Sequence, residues 1–534
     1  MKMKSFLIRG KEAMNKKSIT GLLLALIFTG ACTDDFGRIN TDPTRTTEVP
    51  PEMLFTRALV YGALRYDVYQ RGKDLYGNRY SQYLANIQPG WGTDRYETRQ
   101  DWLTAFWRAS YSGSGSNFGV NIQRAIEMTA EDPDMANLNA QARIWRVFTM
   151  HRVTDFWGDV PYFDAHQGNL RPAYDPQEEI YRHMLDELKA AVEQLDEANP
   201  VRTGPADVLF NDDLNQWRRF GNSLRLRLAM RVSYADPQLA QSHVSEVLNE
   251  GLIMTDNSHS AMLQMDPGGG TGDLVHENPM YWIFRFDEYR ISETLMDMLL
   301  EKEDPRLSVF ARRSGRGTWA GLPNGLSDSQ LGDRAYSPRN FSIHGRYFVQ
   351  QETPIPFITY PEVKFLEAEA ALRGWGPGNA QDHYEEGIRA SMAFLNHGHR
   401  EVLGETEDVI SQDDITDYLN HPEVAFNSGG GFEEQLEQII TQKWLAIFGQ
   451  GLEAWAEIRR TGYPQLNPIM APGGGETDGQ LPRRVRYPTE EQGLNPDNLR
   501  EAVDRQGGNP GNFELHPTRR MWWDANPNVI VNEM

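Results

Sequence analysis

The chain has 534 residues, with 53 Lys or Arg against 75 Asp or Glu and a formal net charge of -22. An acid excess of that size excludes a nucleic-acid binder, which displaces counterions with basic grooves, and excludes electrostatic docking on anionic lipid heads. Cys32 is the only cysteine, so no internal disulfide can form.

The first informative stretch is the apolar run 19–28, preceded by Lys16 and Lys17 and followed by Thr29, Gly30, Ala31 and Cys32. A basic head, about ten apolar residues and small residues before a cut make a secretory signal. The run falls short of the roughly 20 apolar residues that span a bilayer. It predicts a lipoprotein signal over 1–31, cleaved before Cys32, with lipid on that cysteine. Thr29 departs from the leucine-like residue usual at that position, and Met14 opens a tighter signal than Met1 does. Residues 1–31 carry six Lys or Arg against one Glu, so the chain from Cys32 onward has a charge of about -27. Residues 32–51 read as a lipidated tether.

Helical pattern follows over 51–85, then an aromatic loop over 86–101, then helices over 102–108, 117–129 and 138–156. The clearest helix is 177–195, where Ile180, Met184, Leu188, Val192 and Leu195 make one apolar stripe. Asp175, Pro176 and Glu178 suit its cap, first turn and capping box. A second stripe, Trp217, Phe220, Leu224, Leu228 and Val232, predicts a helix over 215–232. A partner is expected over 238–249, ending at Gly251. Residues 266–358 are rich in Gly, Pro and aromatics, and one helix is expected there, over 292–302. Residues 360–373 are apolar on two faces, as in a helix packed on both sides. A turn at 374–378 joins it to 380–396, a helix pair of tetratricopeptide length. Further helices are expected over 432–448 and on to Arg460. The expected fold class is mostly α, with tetratricopeptide-like helix pairs and an irregular loop-rich lobe carrying short strands.

Catalytic patterns find no support. The run 112–116 lacks the strand–turn–helix of a nucleophile elbow, and 268–272 lacks the Lys-Ser/Thr of a phosphate loop. His276-Glu277 has no second His for zinc, and His397-Gly398-His399 reads as a loop after a helix. A glycosidase needs two facing carboxylates, and no pair is singled out. No catalytic residue, metal ligand or cofactor is assigned, and the chain is expected not to be an enzyme.

The run Phe156-Trp157-Gly158-Asp159-Val160-Pro161-Tyr162-Phe163, with Pro172-Ala173-Tyr174-Asp175 after it, resembles the SusD/RagB family of outer-membrane lipoproteins. So, in the same order, do 217–231, 304–307, 360–370, Gln442-Lys443-Trp444, Glu453-Ala454-Trp455, 459–464 and 481–488. Cys32-Thr33-Asp34-Asp35 is similar to the acidic tag that sends such lipoproteins to the outer face. The resemblance implies one domain over 52–534. Its helical scaffold would span about 52–260 and 360–465, and its loop-rich lobe about 261–359 and 466–534. It implies an oligosaccharide ligand, or a peptide, and a TonB-dependent β-barrel transporter as partner; a lipidated glycoside hydrolase is the remaining alternative.

Sugar recognition needs flat apolar rings flanked by polar groups. By loop context alone the candidates are Trp91 and Tyr96, with Asp94, Arg95 and Trp102 around them. Further on come Trp282 and Tyr289, with Tyr281, Arg285 and Arg290, then Trp319 and Tyr336, with Asn324 between them. Each ring has the rival reading of an anchor that pins its loop to the core. Trp444, Trp455, Trp522 and Trp523 are expected to pack between helices. Arg218, Arg219, Arg225, Arg227 and Arg231 are expected to form buried or bridging ion pairs.

Overall fold

In the computed structural model, residues 49–534 are described, apart from 112–116, 201–202, 268–275 and 473–475, and excepting the last residue. The signal, Cys32 and the tether up to residue 48 lie outside the described residues, as do the Ser-Gly run 112–116 and the glycine loop 268–272. Among the described residues no helix is long and apolar enough to cross a membrane.

The helical stripes become helix pairs. Helices α1 (Pro51–Leu64), α2 (Gln100–Tyr111), α3 (Phe118–Thr129), α4 (Ala136–Trp157), α5 (Gln177–Gln194), α6 (Leu214–Arg231) and α7 (Pro237–Glu250) build the first part. Within it α1 packs on α3, and α3 through α7 each pack on the next. Ile180, Met184, Leu188 and Val192 of the α5 stripe are all buried. Asp213 caps α6 by accepting from the Asn215 and Gln216 amides at 2.9 and 3.1 Å, and Gly251 closes α7 at φ 68°, where a side chain would be strained.

The irregular region holds two helices of seven or more residues where one was expected, α8 (Pro279–Arg285) and α9 (Glu293–Glu301); after it come α10 (Tyr360–Leu372), α11 (Ala380–Leu403), α12 (Gln412–Leu419), α13 (Phe432–Ala446), α14 (Gly451–Thr461) and α15 (Pro496–Arg505). Helix α10 lies against α11, α13 and α6, which is why Val363, Leu366 and Ala370 on one face and Phe365 and Ala368 on the other are all buried. Strands are short: β1 (Leu84–Asn86) pairs antiparallel with β3 (Tyr289–Ile291), β2 (Ala261–Leu263) with β6 (Ile355–Ile358), and β4 (Ala311–Arg312) with β5 (Ile343–His344).

Three local expectations are corrected. Residues 51–85 are not one helix. The chain breaks at Arg65 (ψ 137°), resumes, widens into a π-helix at Tyr69–Asn78 and ends in β1. The widened turn lets Gly77 touch the start of α14: a Cβ on Gly77 would lie 2.6 Å from the Leu452 amide nitrogen. Helix α11 runs through His397-Gly398-His399 to Leu403, because Gly398 leaves room for the Tyr347 ring, 2.7 Å from where its Cβ would stand. Asp175 does not cap α5; it holds the Tyr162 and Phe163 amides at 2.8 and 2.9 Å. Pro176 stands at the N-cap position, before the first helical residue, and offers no side-chain cap; Asp159 serves as a remote one, its carboxylate accepting from the Gln177 amide at 2.9 Å.

The arginine expectation holds for four of the five; Arg219 instead donates to the Ile253 carbonyl at 2.5 Å. Arg227 makes two bonds to Glu362, at 2.7 and 2.6 Å. Arg231 reaches Glu453 at 2.6 Å and Glu457 at 2.7 Å. Arg460 clamps Glu369 at 2.7 and 2.6 Å and also Glu457. Lys443 lies 3.1 Å from Glu457. These fully or nearly buried groups tie α6, α10, α13 and α14 together. Burial alone would raise the Glu453 carboxyl; Arg231, Arg227 and Lys443 outweigh it and hold it at about 2. Arg225 pairs with Glu246 and Arg218 with Glu197 nearer the surface. Trp444, Trp455 and Trp523 are buried as expected, and Trp522 is half-buried against Tyr181.

Candidate ligand surface on the loop-rich lobe

The β1–β3 pairing sets the base of the site. It draws the aromatic loop after β1 onto the lobe around residues 285–341. Asn86 donates to the carbonyls of Gln88 and Trp91 at 2.9 and 2.7 Å, which folds 88–91 into a projecting turn. Two neighbours hold the turn: Gln88 donates to the Asp287 carbonyl at 2.9 Å, and the Gly90 amide to the Asp328 carboxylate at 3.0 Å. Gly90 sits at φ 77° with nothing within 4 Å of a Cβ, so the turn stands clear of its surroundings. Trp91 is half-buried, with its edge on Trp102 at 5.4 Å and 82°. Arg99 lies 4.7 Å over the Trp102 ring and donates to the Gly90 carbonyl at 2.9 Å.

The polar neighbours first read as ligand groups are internal clamps. Asp94 is buried and accepts from the Asn86 and Gly325 amides at 3.0 and 3.2 Å. Burial pushes its carboxyl up to about 6 despite those bonds. Arg95 forks onto Glu97 at 2.9 and 3.1 Å and donates to the Leu326 carbonyl and to Asp328. Asn324 donates to the Leu84 carbonyl at 2.9 Å.

Two of the six candidate rings are anchors. Tyr96 is only 3% exposed and bonds Gln82 through its hydroxyl at 3.2 Å. Tyr289 is 2% exposed, edge-on to His344 at 4.9 Å, with Arg79 at 5.3 Å over its ring. Neither ring has a face for a ligand: Tyr289 lies in β3, and Tyr96, after the turn at Gly92–Arg95, packs edge-on to Tyr80 at 5.5 Å. The other four remain half-exposed. Trp282 is fixed by its indole N–H donating to Glu277 at 2.8 Å and stands edge-on to Tyr281 at 5.2 Å, with Arg285 at 5.4 Å. Trp319 carries Arg313 at 4.8 Å over its ring. Tyr336 packs on a small cluster of Ala85, Ile87, Leu322 and Leu326, which fastens its loop to β1.

Sequence reasoning missed Phe286, 62% exposed beside Asp287. Its signal was available: Trp282, Phe284 and Phe286 with Arg285 make a dense aromatic run before a strand. An open groove of about 960 Å³ lies on the scaffold, lined by Leu209, Phe210, Asn257, Phe394 and His397, and none of the candidate residues lines it.

The lobe thus presents half-exposed rings, exposed carboxylates at Asp287 and Asp328, and a guanidinium at Arg285. Rings take apolar faces, and the charged groups take hydroxyls.

Comparison with known proteins agrees with this architecture. No curated protein sequence matches the chain. Among solved structures, a chitin-binding protein is 29% identical, covers 89% of this chain and 100% of its own, and superposes with a TM-score of 0.76. A chitin-binding SusD homologue from Flavobacterium johnsoniae is 26% identical, with 89% and 98% covered and a TM-score of 0.74. A SusD homologue from Bacteroides thetaiotaomicron is 26% identical, with 90% and 100% covered and a TM-score of 0.73. Residues 43–488 match the SusD-like family model, described as starch-binding associating with outer membrane. The chain belongs to the SusD-like family.

Proposed function

We propose that the chain is an outer-membrane lipoprotein, anchored outward through Cys32, that binds oligosaccharides on the loop-rich lobe and delivers them to a TonB-dependent β-barrel transporter. Trp91, Trp282, Trp319 and Tyr336 are its binding rings, and Tyr96 and Tyr289 hold the loops that carry them. The observation that carries this reading is Trp91. It stands half-exposed on a turn tied to both Asp287 and Asp328, in a family described as starch-binding, beside relatives described as chitin-binding.

Covering one ring with a sugar face removes a few tens of Å² of apolar surface on each side. At ~25 cal/mol per Å² that is roughly 1–2 kcal/mol per stack. After the cost of association, two or three stacks give weak binding, which suits a protein that must release its cargo. No group on the lobe is asked to do chemistry.

The test is calorimetry and a glycan array with purified protein from residue 33 onward. Starch or chitin oligosaccharides are expected to bind, and Trp91→Ala is expected to weaken the best ligand by about tenfold, or 1.4 kcal/mol. Unchanged affinity in Trp91→Ala, Trp282→Ala and Trp319→Ala alike refutes the site. Capture from a peptide library with no glycan bound refutes the ligand class, and glycan cleavage refutes a purely binding role.

A further inference from the structure

Away from the lobe, inside the scaffold, a cavity of about 50 Å³ is walled in part by Lys73, His151, Arg152, Asp155, Glu453 and Arg459. Its cations are not matched by its acids. Arg459 is fully buried, 3.6 Å over the Trp455 ring. It spends Nη1 on the carbonyls of Asp155 and Arg483 at 2.8 and 2.7 Å, and its Nη2 has no partner. Arg152 gives Nη2 to the Gly62 carbonyl, and its Nε has no partner. The Lys73 ammonium has the Tyr69 ring at 4.5 Å as its neighbour. The two acids face other cations: Glu453 accepts from Arg231 on Oε2 at 2.6 Å, with its Oε1 unbonded 3.7 Å from Lys443, and Asp155 lies 3.6 Å from Arg231 and accepts from the Tyr181 hydroxyl. Arg227, also in the wall, is matched by Glu362.

We infer that this cavity binds one small monovalent anion, a halide or a carboxylate no larger than acetate. Arg459 is fully buried and Lys73 and Arg152 half-buried among aromatic rings; Asp74 and Asp155 act on Lys73 and Arg459 from a distance, and no ion pair to these three is seen among the described residues, so a counter-charge joining them is favourable. Two unpartnered guanidinium nitrogens in the wall supply directed donors for it. About 50 Å³ holds some three or four waters, so a pyranose is excluded and the site is separate from the ligand surface. The crowding shows in the charges themselves. Burial, then the Arg152 charge, lowers Lys73 to about 7, and burial, then Arg227, lowers Arg152 to about 9. An anion here would bridge the π-helical segment that carries Lys73 to α4 and α14.

The test is crystals of the lipid-free protein from residue 33 soaked in bromide. An anomalous peak beside Arg459 Nη2 or Arg152 Nε is expected. In solution, replacing gluconate by chloride, bromide or formate at constant ionic strength should raise Tm saturably, by about 2 °C. Lys73→Met with Arg152→Met should abolish that rise. Bromide maps with only water in the cavity overturn the inference, as does a folded double variant that keeps the full rise. If the double variant does not fold, the bromide map of the unaltered protein decides alone.

Discussion

At the scale of single residues, two glycines decide more than any side chain near them. Gly77 and Gly451 lie back to back: a Cβ on Gly451 would stand 2.2 Å from the Asn78 nitrogen, and one on Gly77 would stand 2.7 Å from the Gly451 carbonyl carbon. The obstacle is backbone on both sides, so no side chain can swing away. Gly451→Ala is expected to cost about 3 kcal/mol, at the upper end for overpacking, read as a lower urea midpoint with unchanged slope. Nothing in the sequence marks this contact, since a glycine next to a helix start reads equally as a loop. The same blindness explains the site. Asp94 and Asn324 have the side chains of ligand groups, yet Asp94 accepts from backbone amides and Asn324 bonds the Leu84 carbonyl and the Ser292 hydroxyl, and Tyr96 and Tyr289 are anchors. Residue type names the chemistry a group can do, and only packing tells which partner it meets.

At the scale of elements, periodicity was legible and termini were less so. The α5, α6 and α10 stripes are buried as their spacing predicts, because 3.6-residue repetition of apolar side chains leaves few other arrangements. Caps depend on where the chain returns. Asp159 reaches the first turn of α5 from the preceding turn, and it also receives Arg505 at 2.7 Å. Asp159→Ala should therefore remove a cap and an ion pair together, lowering stability by about 1–2 kcal/mol. Asp175→Ala should leave the Gln177 amide satisfied. Amide hydrogen exchange checks this: Gln177 should exchange faster in Asp159→Ala and not in Asp175→Ala, where Tyr162 and Phe163 should instead be exposed; the reverse pattern would contradict the assignment. The π-helix at Tyr69–Asn78 was illegible for a related reason, because its register is set by α14, nearly 400 residues away.

For the whole molecule, the buried charges fix the response to acid. His151, His166, His243 and His344 are all held below the usual 6.5 by burial first, the last three at about 4, 4 and 3. Each stays neutral in the fold and takes a proton in the unfolded chain, so stability falls as pH drops from about 6.5 toward 4. Glu453, held at about 2, contributes fully above about 4.5 and loses its share below that. Glu288, raised to about 7 mainly by burial, and Asp94, at about 6, work the other way over pH 7 to 4. Burial also lowers His183 and His516, and only Glu288 and Asp94 among the raised carboxyls reach as high as about 7 and 6, so above about pH 5 the histidines prevail; the smaller upward shifts of Asp155, Asp159, Asp175, Asp212, Glu293, Glu437 and Glu491 act lower down. Tm is expected to be highest near neutral pH and to fall steadily below about pH 6; a rise toward pH 5 would contradict this balance. The proposed anchor gives a second prediction at this scale. Cys32→Ala is expected to leave ligand binding intact while releasing the protein from membranes, seen by fractionation. Retention would mean that protein contacts, such as those with the proposed transporter, hold it.

The charge cluster joining α6, α10, α13 and α14 also constrains how such a sequence can change over time. Its members are shared: Glu457 serves Arg231, Arg460 and Lys443, and Glu453 serves Arg231 with Arg227 nearby. Losing one strands several, at about 3–5 kcal/mol for a broken buried pair, so a joint replacement costs less than a single exchange. The loops bearing Trp91, Trp282 and Trp319 share no member of that set. Under the proposed function, exchanges in those loops would alter the ligand without touching the charges that hold the scaffold.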